Sequence, residues 1–306
     1  MENLNALRVF VRVAETRSFK EAAKKLGLTS SAVSKAVGRL EAEMGVRLFQ
    51  RTTRSVGLSD EGELFFAHCR QILAEIESAE SLLTRSAAGP SGRLRVHMTV
   101  GFGRRVIMPA IGRFIERHPA LTVSAELSDR SVDLAYEGFD VDVRIGPVAE
   151  ARVVARKLCR LHFLACASPD YLARHGEPQT PDDLDRHNCL AYTQIHTGRV
   201  REWWFQDQGR HFAKTVSGRL NANNSESLLM AAVSGLGIAM VSNFIAGEAI
   251  AQGLLKPILT RYATPGPEVS AVYLPGQNLS PKVRAFVDFL AELTRHAPDG
   301  AGEPDY

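Results

Sequence analysis

The chain has 306 residues, of which 45 % are hydrophobic and 23 % charged, ordinary globular material that is long enough for two or three modules with separate cores. That composition excludes a disordered or fibrous chain, and no stretch of about 20 apolar residues is present to span a membrane. The opening segment MENLNALRVFVRVAETR interrupts its apolar residues with Glu2, Arg8, Arg12 and Glu15. It therefore lacks the uninterrupted core of a secretory signal, and a cytoplasmic location is the expectation.

The net charge of +3 is unevenly spread: up to Leu58 eleven basic residues face five acidic ones, a surplus of +6, which leaves 26 basic against 29 acidic in the remainder. A small basic head on a mildly acidic body suits a head that meets a polyanion. Cys69, Cys159, Cys166 and Cys189 form no C-x-x-C pair. Their spacing fits neither a zinc ribbon nor a disulfide framework, so buried, reduced thiols are expected.

Leu4, Leu7, Phe10, Val11 and Ala14 recur at steps of three and four, the stripe of a first helix. Ser18 and Glu21 form the S-x-x-E of a capping box, opening a short second helix that turns Ala22, Ala23 and Leu26 inward and stops at Gly27. Thr29, Ser30 and Ser31 can cap a third helix running to about Met44. Val33, Val37 and Leu40 share one of its faces, while Ser31, Ser34, Lys35 and Gly38 share another. A face of small, polar and basic residues permits close approach to a groove, with Lys35 and Arg39 within reach of phosphates or base edges. The following VRLFQRTTRSVGLSDEG alternates like a hairpin, with Arg51 and Arg54 near its tip. Helix, turn, helix and basic wing is the order of a winged helix-turn-helix that binds double-stranded DNA.

These residues also carry a likeness. The stretch LRVFVRVAETRSFKEAAKKLGLTSSAVSKAVGRLEAEMGVRLFQRTTRSVGLSDEGELF resembles the DNA-binding domain of LysR-type transcriptional regulators over about sixty residues with fixed spacing. It departs at Ser30-Ser31, where the family usually starts its recognition helix with proline, and at Ser59, which stands for threonine and keeps the N-cap chemistry. On this reading Ser30, Ser31, Ser34, Lys35 and Arg39 address DNA from the third helix, and Arg51 and Arg54 from the wing.

From Asp60 to Arg85 a seam of Phe65, Cys69, Ile72, Ile76, Ala79 and Leu83 repeats at steps of four and three. Such a helix can pack on its own domain or pair with its twin. The family resemblance implies the pairing, hence a homodimer, a two-fold symmetric site and a further step to a tetramer. The boundaries that follow are a head at 1–58, a linker helix at 59–87 and a hinge at 88–92, where SAAGPSG ends.

Beyond the hinge, RLRVHMTV, LTVSAEL and DVDVRIG read as strands separated by GFGRRVIMPAIGRFIERHP and DRSVDLAYEGF as helices, a β-α-β rhythm that implies a parallel sheet. VVARKLCRLHFLACAS reads as two strands, SPDYLARHG and SESLLMAAVSG as helices, and EVSAVYL with PKVRAFVDFLAELTRH as a last strand and helix. VDLAYEGFDVDVRIG, ACASPDYLARHG, GLGIAMVS and SPKVRAFVDFL resemble the LysR-type regulatory domain, itself similar to periplasmic solute-binding proteins. That implies two α/β subdomains, 93–165 with 267–296 and 166–266, and a disordered tail at 297–306. It also implies a small organic effector in the cleft between them.

In open α/β folds ligands sit beyond the carboxyl ends of strands. The candidates there are Thr99, Val100, Gly101, Phe102 and Gly103 in the first turn, Gly146 and Pro147 after another strand, Tyr192 and Gln194 after a third, and Asn223 and Asn224 before a helix with Glu226 as a capping partner. Arg104 and Arg105 would favour an anion. Capped turns without any ligand explain the same residues equally well. No G-x-S-x-G, no H-E-x-x-H and no complete dinucleotide fingerprint occurs, so neither catalysis nor a cofactor or metal is expected. His187 and Cys189 on one loop do not make a metal site, and Trp203 and Trp204 can cover apolar surface or meet an effector ring. A solute-binding protein or enzyme of the same α/β class, without specific DNA binding, would account for the body but leave the basic head without purpose. An architectural DNA-binding protein would leave the cleft idle.

Overall fold

The computed structural model describes residues 2–51, 56–83, 89–195, 197–275 and 279–295. They fall into two compact units, one centred on the first 89 residues and the other on the chain from Pro90 onward.

The first unit contains α1 (Glu2–Thr16), α2 (Phe19–Leu26), α3 (Ser30–Met44), β1 (Phe49–Arg51), β2 (Val56–Leu58) and α4 (Asp60–Leu83). The helix ends follow local chemistry. Ser18 Oγ accepts the Glu21 N–H at 3.3 Å, Thr29 Oγ1 accepts the Ala32 N–H at 3.2 Å, and Gly27 (φ 65°) and Gly45 (φ 68°) close α2 and α3 in the left-handed conformation. Among Thr29, Ser30 and Ser31 the cap is thus Thr29. Phe10, fully buried, meets the rings of Phe49 and Phe65 at 5.4 and 5.2 Å, and Val33, Val37 and Leu40 of α3 join the same core.

The wing is anchored by an unexpected residue. Glu41, 6 % exposed, accepts the backbone N–H groups of Leu48 (2.9 Å) and Phe49 (3.2 Å) on Oε1. Ser59 Oγ donates to the Arg47 carbonyl at 2.6 Å and accepts the Gly62 N–H at 2.9 Å. At Gly62 a Cβ would lie 2.0 Å from the Leu48 carbonyl oxygen, so only glycine lets α4 pass the wing. Arg51 ends β1, and Arg54 lies outside the described residues. The expected helical seam is split. Phe65 and Cys69 pack into the head's own core, Ile72 is exposed and Ile76 half-buried, while the side chains of Ala79 and Leu83 lie outside the described residues. The candidate hinge begins at Gly89 as described, with residue 88 outside, as is the expected tail at 297–306.

The second unit is built on β3 (Gly92–Met98), α5 (Val100–Phe102), α6 (Ile111–Arg117), β4 (Leu121–Leu127), β5 (Val141–Ile145), β6 (Val154–Ala167), α8 (Pro169–His175), β7 (Cys189–Tyr192), β8 (Trp203–Asp207), β9 (Arg210–Lys214), β10 (Asn221–Ala222), α9 (Ser225–Val233), β11 (Ile238–Ser242), α10 (Asn243–Ala251), β12 (Lys256–Ile258), β13 (Pro265–Tyr273) and α11 (Pro281–Thr294). The short α7 (Leu134–Glu137) groups with the first unit. One sheet runs β10-β7-β11-β6-β13-β5-β3-β4, with β12 also on β6. The neighbours β3/β4, β3/β5, β7/β10 and β7/β11 are parallel, whereas β6 and β13 run against their neighbours. The sheet is therefore mixed, not wholly parallel as the β-α-β rhythm suggested.

Two expectations need correction. The segment read as two strands is the single 14-residue strand β6. Its first part, through His162, pairs with β13, and from Phe163 onward it pairs with β11, so the change of sheet partner occurs inside one continuous strand. The segment read as one helix is α5, a π turn at Gly103–Ile107, a 3-10 turn at Met108–Ala110 and α6. Pro109 cannot donate to the helical ladder, and the widened turn absorbs the lost bond. The hairpin β8–β9 had no counterpart in the sequence reading. Its two-residue loop, Gln208 (φ 46°) and Gly209 (φ 79°), is the left-handed pair that suits a tight hairpin.

Candidate functional site

The head presents one polar face. Ser30, Ser31, Lys35, Gly38 and Arg39 are exposed on α3 and Ser34 is half-buried, directly opposite the buried Val33, Val37 and Leu40. Lys35 and Arg39 form no ion pair among the described residues, which leaves both charges available to an outside anion.

In the second unit a cleft of about 1310 Å³ opens beyond the ends of β3, β5, β7 and β11. Of the sequence-predicted residues, Thr99, Gly101, Phe102, Pro147, Tyr192, Gln194 and Asn224 line it. Val100, Gly103, Arg104, Gly146 and Asn223 do not. The reasons are local. A Cβ on Gly103 would lie 2.8 Å from the Met98 side chain, so this glycine serves packing against β3. Arg104 is engaged by Glu226 at 2.6 Å, and Arg105 reaches Glu226 at 3.1 Å and Glu248 at 2.8 Å. Glu226 is therefore not the capping partner of Asn223. The cap of α9 is Asn224, whose Oδ1 accepts the Ser227 N–H at 2.9 Å. These ion pairs tie the turn after β3 to α9 and α10, and Phe102 meets Phe244 edge-on at 5.3 Å beside them.

The floor of the cleft is a buried polar chain. His97 Nδ1 contacts Asp142 at 2.8 Å, its Nε2 contacts Ser128 Oγ at 2.9 Å, and Asp142 pairs with Arg144 at 2.9 Å. On the wall, Asp129 Oδ1 accepts the Val100 N–H at 2.9 Å, the first free N–H of α5, while the N-cap Thr99 makes no side-chain cap. Burial, reinforced by the charge of Asp129, raises the Tyr192 hydroxyl above its ordinary pKa.

Sequence reasoning missed Asp129, Phe163, Arg201 and Ser242 as cleft residues. They come from distant segments with no shared spacing, and the one hint was a basic residue just before the aromatic pair in GRVREWWF. That pair divides: Trp203 is buried in the core, while Trp204 is 54 % exposed, and both border the cleft. Around His187 the contacts are internal, with Nδ1 3.2 Å from Tyr171 Oη and the Cys189 thiol donating to the Leu184 carbonyl. No group of three His, Cys, Asp or Glu that could hold a metal occurs among the described residues.

A basic head with a free helix face and a second unit with a polar-floored cleft describe a ligand-responsive regulator, and comparison with known proteins gives the same class. Residues 4–63 match the model of the bacterial regulatory helix-turn-helix proteins of the lysR family, and residues 87–295 match the LysR substrate binding domain. The chain belongs to the LysR family of transcriptional regulators, with a helix-turn-helix domain and an effector-binding domain. It is 34 % identical over 302 residues to the HTH-type transcriptional regulator YhjC of Escherichia coli (strain K12), covering 98 % of this chain and 100 % of that one. The solved structure of CrgA, a LysR-type transcriptional regulator from Neisseria meningitidis, superposes with a TM-score of 0.61 at 34 % identity, covering 94 % of this chain and 97 % of that one. A full-length variant of OxyR from Pseudomonas aeruginosa shares the fold, with a TM-score of 0.75 at 20 % identity over 98 % of both chains. No helix among the described residues is long and apolar enough to cross a membrane.

Proposed function

We propose that the protein binds a two-fold symmetric promoter site as a homodimer joined through α4, and that a small organic effector in the cleft modulates this binding. The observation that carries the reading is the exposed, small and basic face of α3, backed by the buried Val33, Val37 and Leu40 on the opposite face. Ser30, Ser31, Ser34, Lys35 and Arg39 then face the major groove, with Arg51 and Arg54 of the wing on the flanking backbone. Pairing through α4 is supported by the apolar Leu64 and Ile72, 66 % and 44 % exposed on that helix. Two recognition helices joined this way fit half-sites about 34 Å apart. Association of dimers into a tetramer extends the same reading.

Among the predicted effector residues, Thr99, Gly101, Phe102, Pro147, Tyr192, Gln194 and Asn224 are the ones the cleft supports as direct contacts. Effector binding would change the angle between subdomains that share β6, and α4 would convey that change as altered spacing or bend at the DNA. The test is binding of the full-length protein to DNA upstream of its own gene across a salt series. Lys35→Ala and Arg39→Ala should each weaken binding and reduce the salt slope by about 1. Binding to retained fragments that is indifferent to both substitutions overturns the reading.

A further inference from the structure

We propose that α7 is a coupling clasp: gripped on α4 by Arg70 and Glu63, this short helix carries a change at the cleft border to the helix that holds the wing, and carries DNA binding at the head back to that border. The proposal rests on the regulator reading above and names the residues that join its two functions.

The grip is polar and specific. α7 groups with the first unit, although the chain on either side of it, through Ser131 and from Val141, belongs to the second. Arg70 of α4 donates Nη1 to the Glu137 carbonyl and Nη2 to the Gly138 carbonyl, the latter at 2.6 Å. These carbonyls stand at the C-terminal end of α7, where a helix leaves its acceptors without internal partners and a cation is favoured. Two turns earlier on the same face of α4, Glu63 Oε2 accepts the Tyr136 hydroxyl at 2.7 Å. The Arg70 guanidinium also lies 5.5 Å from the ring centroid of Phe66, one turn back on α4.

Gly138 is fitted to that grip. Its φ of 64° is left-handed, and a Cβ there would lie 1.6 Å from Arg70 Cζ, so the guanidinium occupies the space a side chain would take. The other end of α7 is closed locally. Asp133 Oδ1 accepts the Tyr136 N–H at 2.8 Å, and Glu137 Oε1 accepts the Asp133 N–H at 3.2 Å. A helix of four residues is far below the length that stands by itself, so its order depends on the buried Val132, Leu134 and Phe139 and on the α4 grip. Glu63 and Tyr136 are solvent-exposed, so their bond exchanges readily with water.

The position of α7 along the chain makes the clasp a link. Asp129, Arg130 and Ser131 just before it, and Asp142 and Arg144 just after it, line the cleft. On the other side of the grip, Glu63 follows Gly62, the residue that passes the Leu48 carbonyl of the wing, and its N–H donates to the Ser59 carbonyl at 2.8 Å. A clasp with a held and a released state is the two-state element that coupling requires. A shift of the cleft border that pulls on Ser131 or Val141 loosens α7 from α4, and by reciprocity a head fixed on DNA steadies α4 and holds α7 in place.

Amide hydrogen exchange of the full-length protein, read by mass spectrometry on peptides covering residues 128–145, the wing and β11, tests this without an effector. Wild type, Arg70→Met, Arg70→Lys and Tyr136→Phe are compared alone and with the duplex upstream of the gene at low salt, where a basic head retains DNA most strongly. For Arg70→Met the expected result is exchange at residues 132–140 faster on the order of tenfold, with β11 unchanged and DNA still retained. Arg70→Lys, which keeps the charge but not the planar fork, should fall between. DNA should slow exchange across residues 128–145 in the wild type and leave it unchanged in Arg70→Met. Protection at residues 132–140 that survives Arg70→Met overturns the clasp. So does a DNA response that persists in that variant, which would mark direct contact with DNA. If Arg70→Met loses β11 protection and is unfolded, Arg70→Lys and Tyr136→Phe decide the same comparison. A wild type that retains no duplex refutes the regulator reading in the binding assay itself and the coupling with it, whereas retention with residues 128–145 silent refutes the coupling alone.

Discussion

Removing the Glu41 carboxylate should loosen the wing without disturbing the helix that carries it. Glu41 sits on α3, 6 % exposed, and its Oε1 accepts the N–H groups of Leu48 at 2.9 Å and Phe49 at 3.2 Å. Glu41→Ala strips both donors of their partner at a point where Leu48 is fully buried and Phe49 nearly so. A hydrogen bond to a charged group contributes about 1.5–3 kcal/mol. Because one oxygen serves both donors and water can enter the space left by the side chain, a loss of about 3 kcal/mol is expected rather than twice the upper figure. Spread over the opening of β1 and β2, that loss speeds amide exchange on the order of 100-fold at 1.4 kcal/mol per decade. Hydrogen exchange read by mass spectrometry on peptides covering the wing measures it locally, so a two-state melt of the whole chain is not needed. Glu43→Ala, an exposed acid on the same helix, is the control and should leave exchange unchanged. Wing protection that survives Glu41→Ala would mean that β1 is held by core packing alone and would refute the reasoning.

Three further outcomes follow from charges and burial in the second unit and the head. Burial and the neighbouring His175 hold the His187 imidazole below its ordinary pKa of 6.5, so the unfolded chain takes up a proton at a pH where the folded one resists it. Stability should therefore fall as pH drops below about 6.5, and His187→Gln should flatten that fall in a pH series of thermal melts. Burial pushes the Cys69, Cys166 and Cys189 thiols up to about 12, so all three should resist iodoacetamide in the native protein at pH 8 and react only after unfolding, as counted by intact mass. The same shift makes stability decline as pH climbs from about 9, where unfolded thiols ionise, toward about 12. Glu226→Gln leaves Arg104 and Arg105 without their shared carboxylate, but Arg104 is 61 % exposed and solvent screens the pairing. The expected cost is about 1 kcal/mol, smaller at high salt, and a melt unaffected by salt in the wild type would count against it.

The head was legible because its determinants are local. Ser18, Gly27, Thr29 and Gly45 act within a turn of their own positions, and the inward set Val33, Val37 and Leu40 follows from helical period alone. What escaped was the part that needs a second segment. Glu41 reads as one more charge on a charged helix until the wing folds back over it, and Gly62 reads as an ordinary helix residue until the Leu48 carbonyl arrives 2.0 Å from where its Cβ would be. In the second unit the strands were visible as apolar runs, but apolar runs do not reveal which partner each half takes. Nothing in VVARKLCRLHFLACA distinguishes two strands from one that changes neighbours at His162–Phe163.

The cleft shows the same limit most sharply in its arginines. Arg104 and Arg105, beside glycines at the end of a strand, have the sequence setting of anion binders, yet Glu226, more than 120 residues along the chain, neutralises both. Arg201, between the turn at Gly198 and the start of β8, pairs with no acid among the described residues, because Phe163, Tyr192 and the Met240 carbonyl surround it with rings and one oxygen. Whether a cation is committed to structure or kept for a ligand is decided by which acid the fold brings to it, a property of the assembled tertiary structure rather than of any spacing. Sequence reading therefore locates where a cleft of this class lies, through its strand ends and caps, and the pairing of charges across the fold decides which side chain in it can select a ligand.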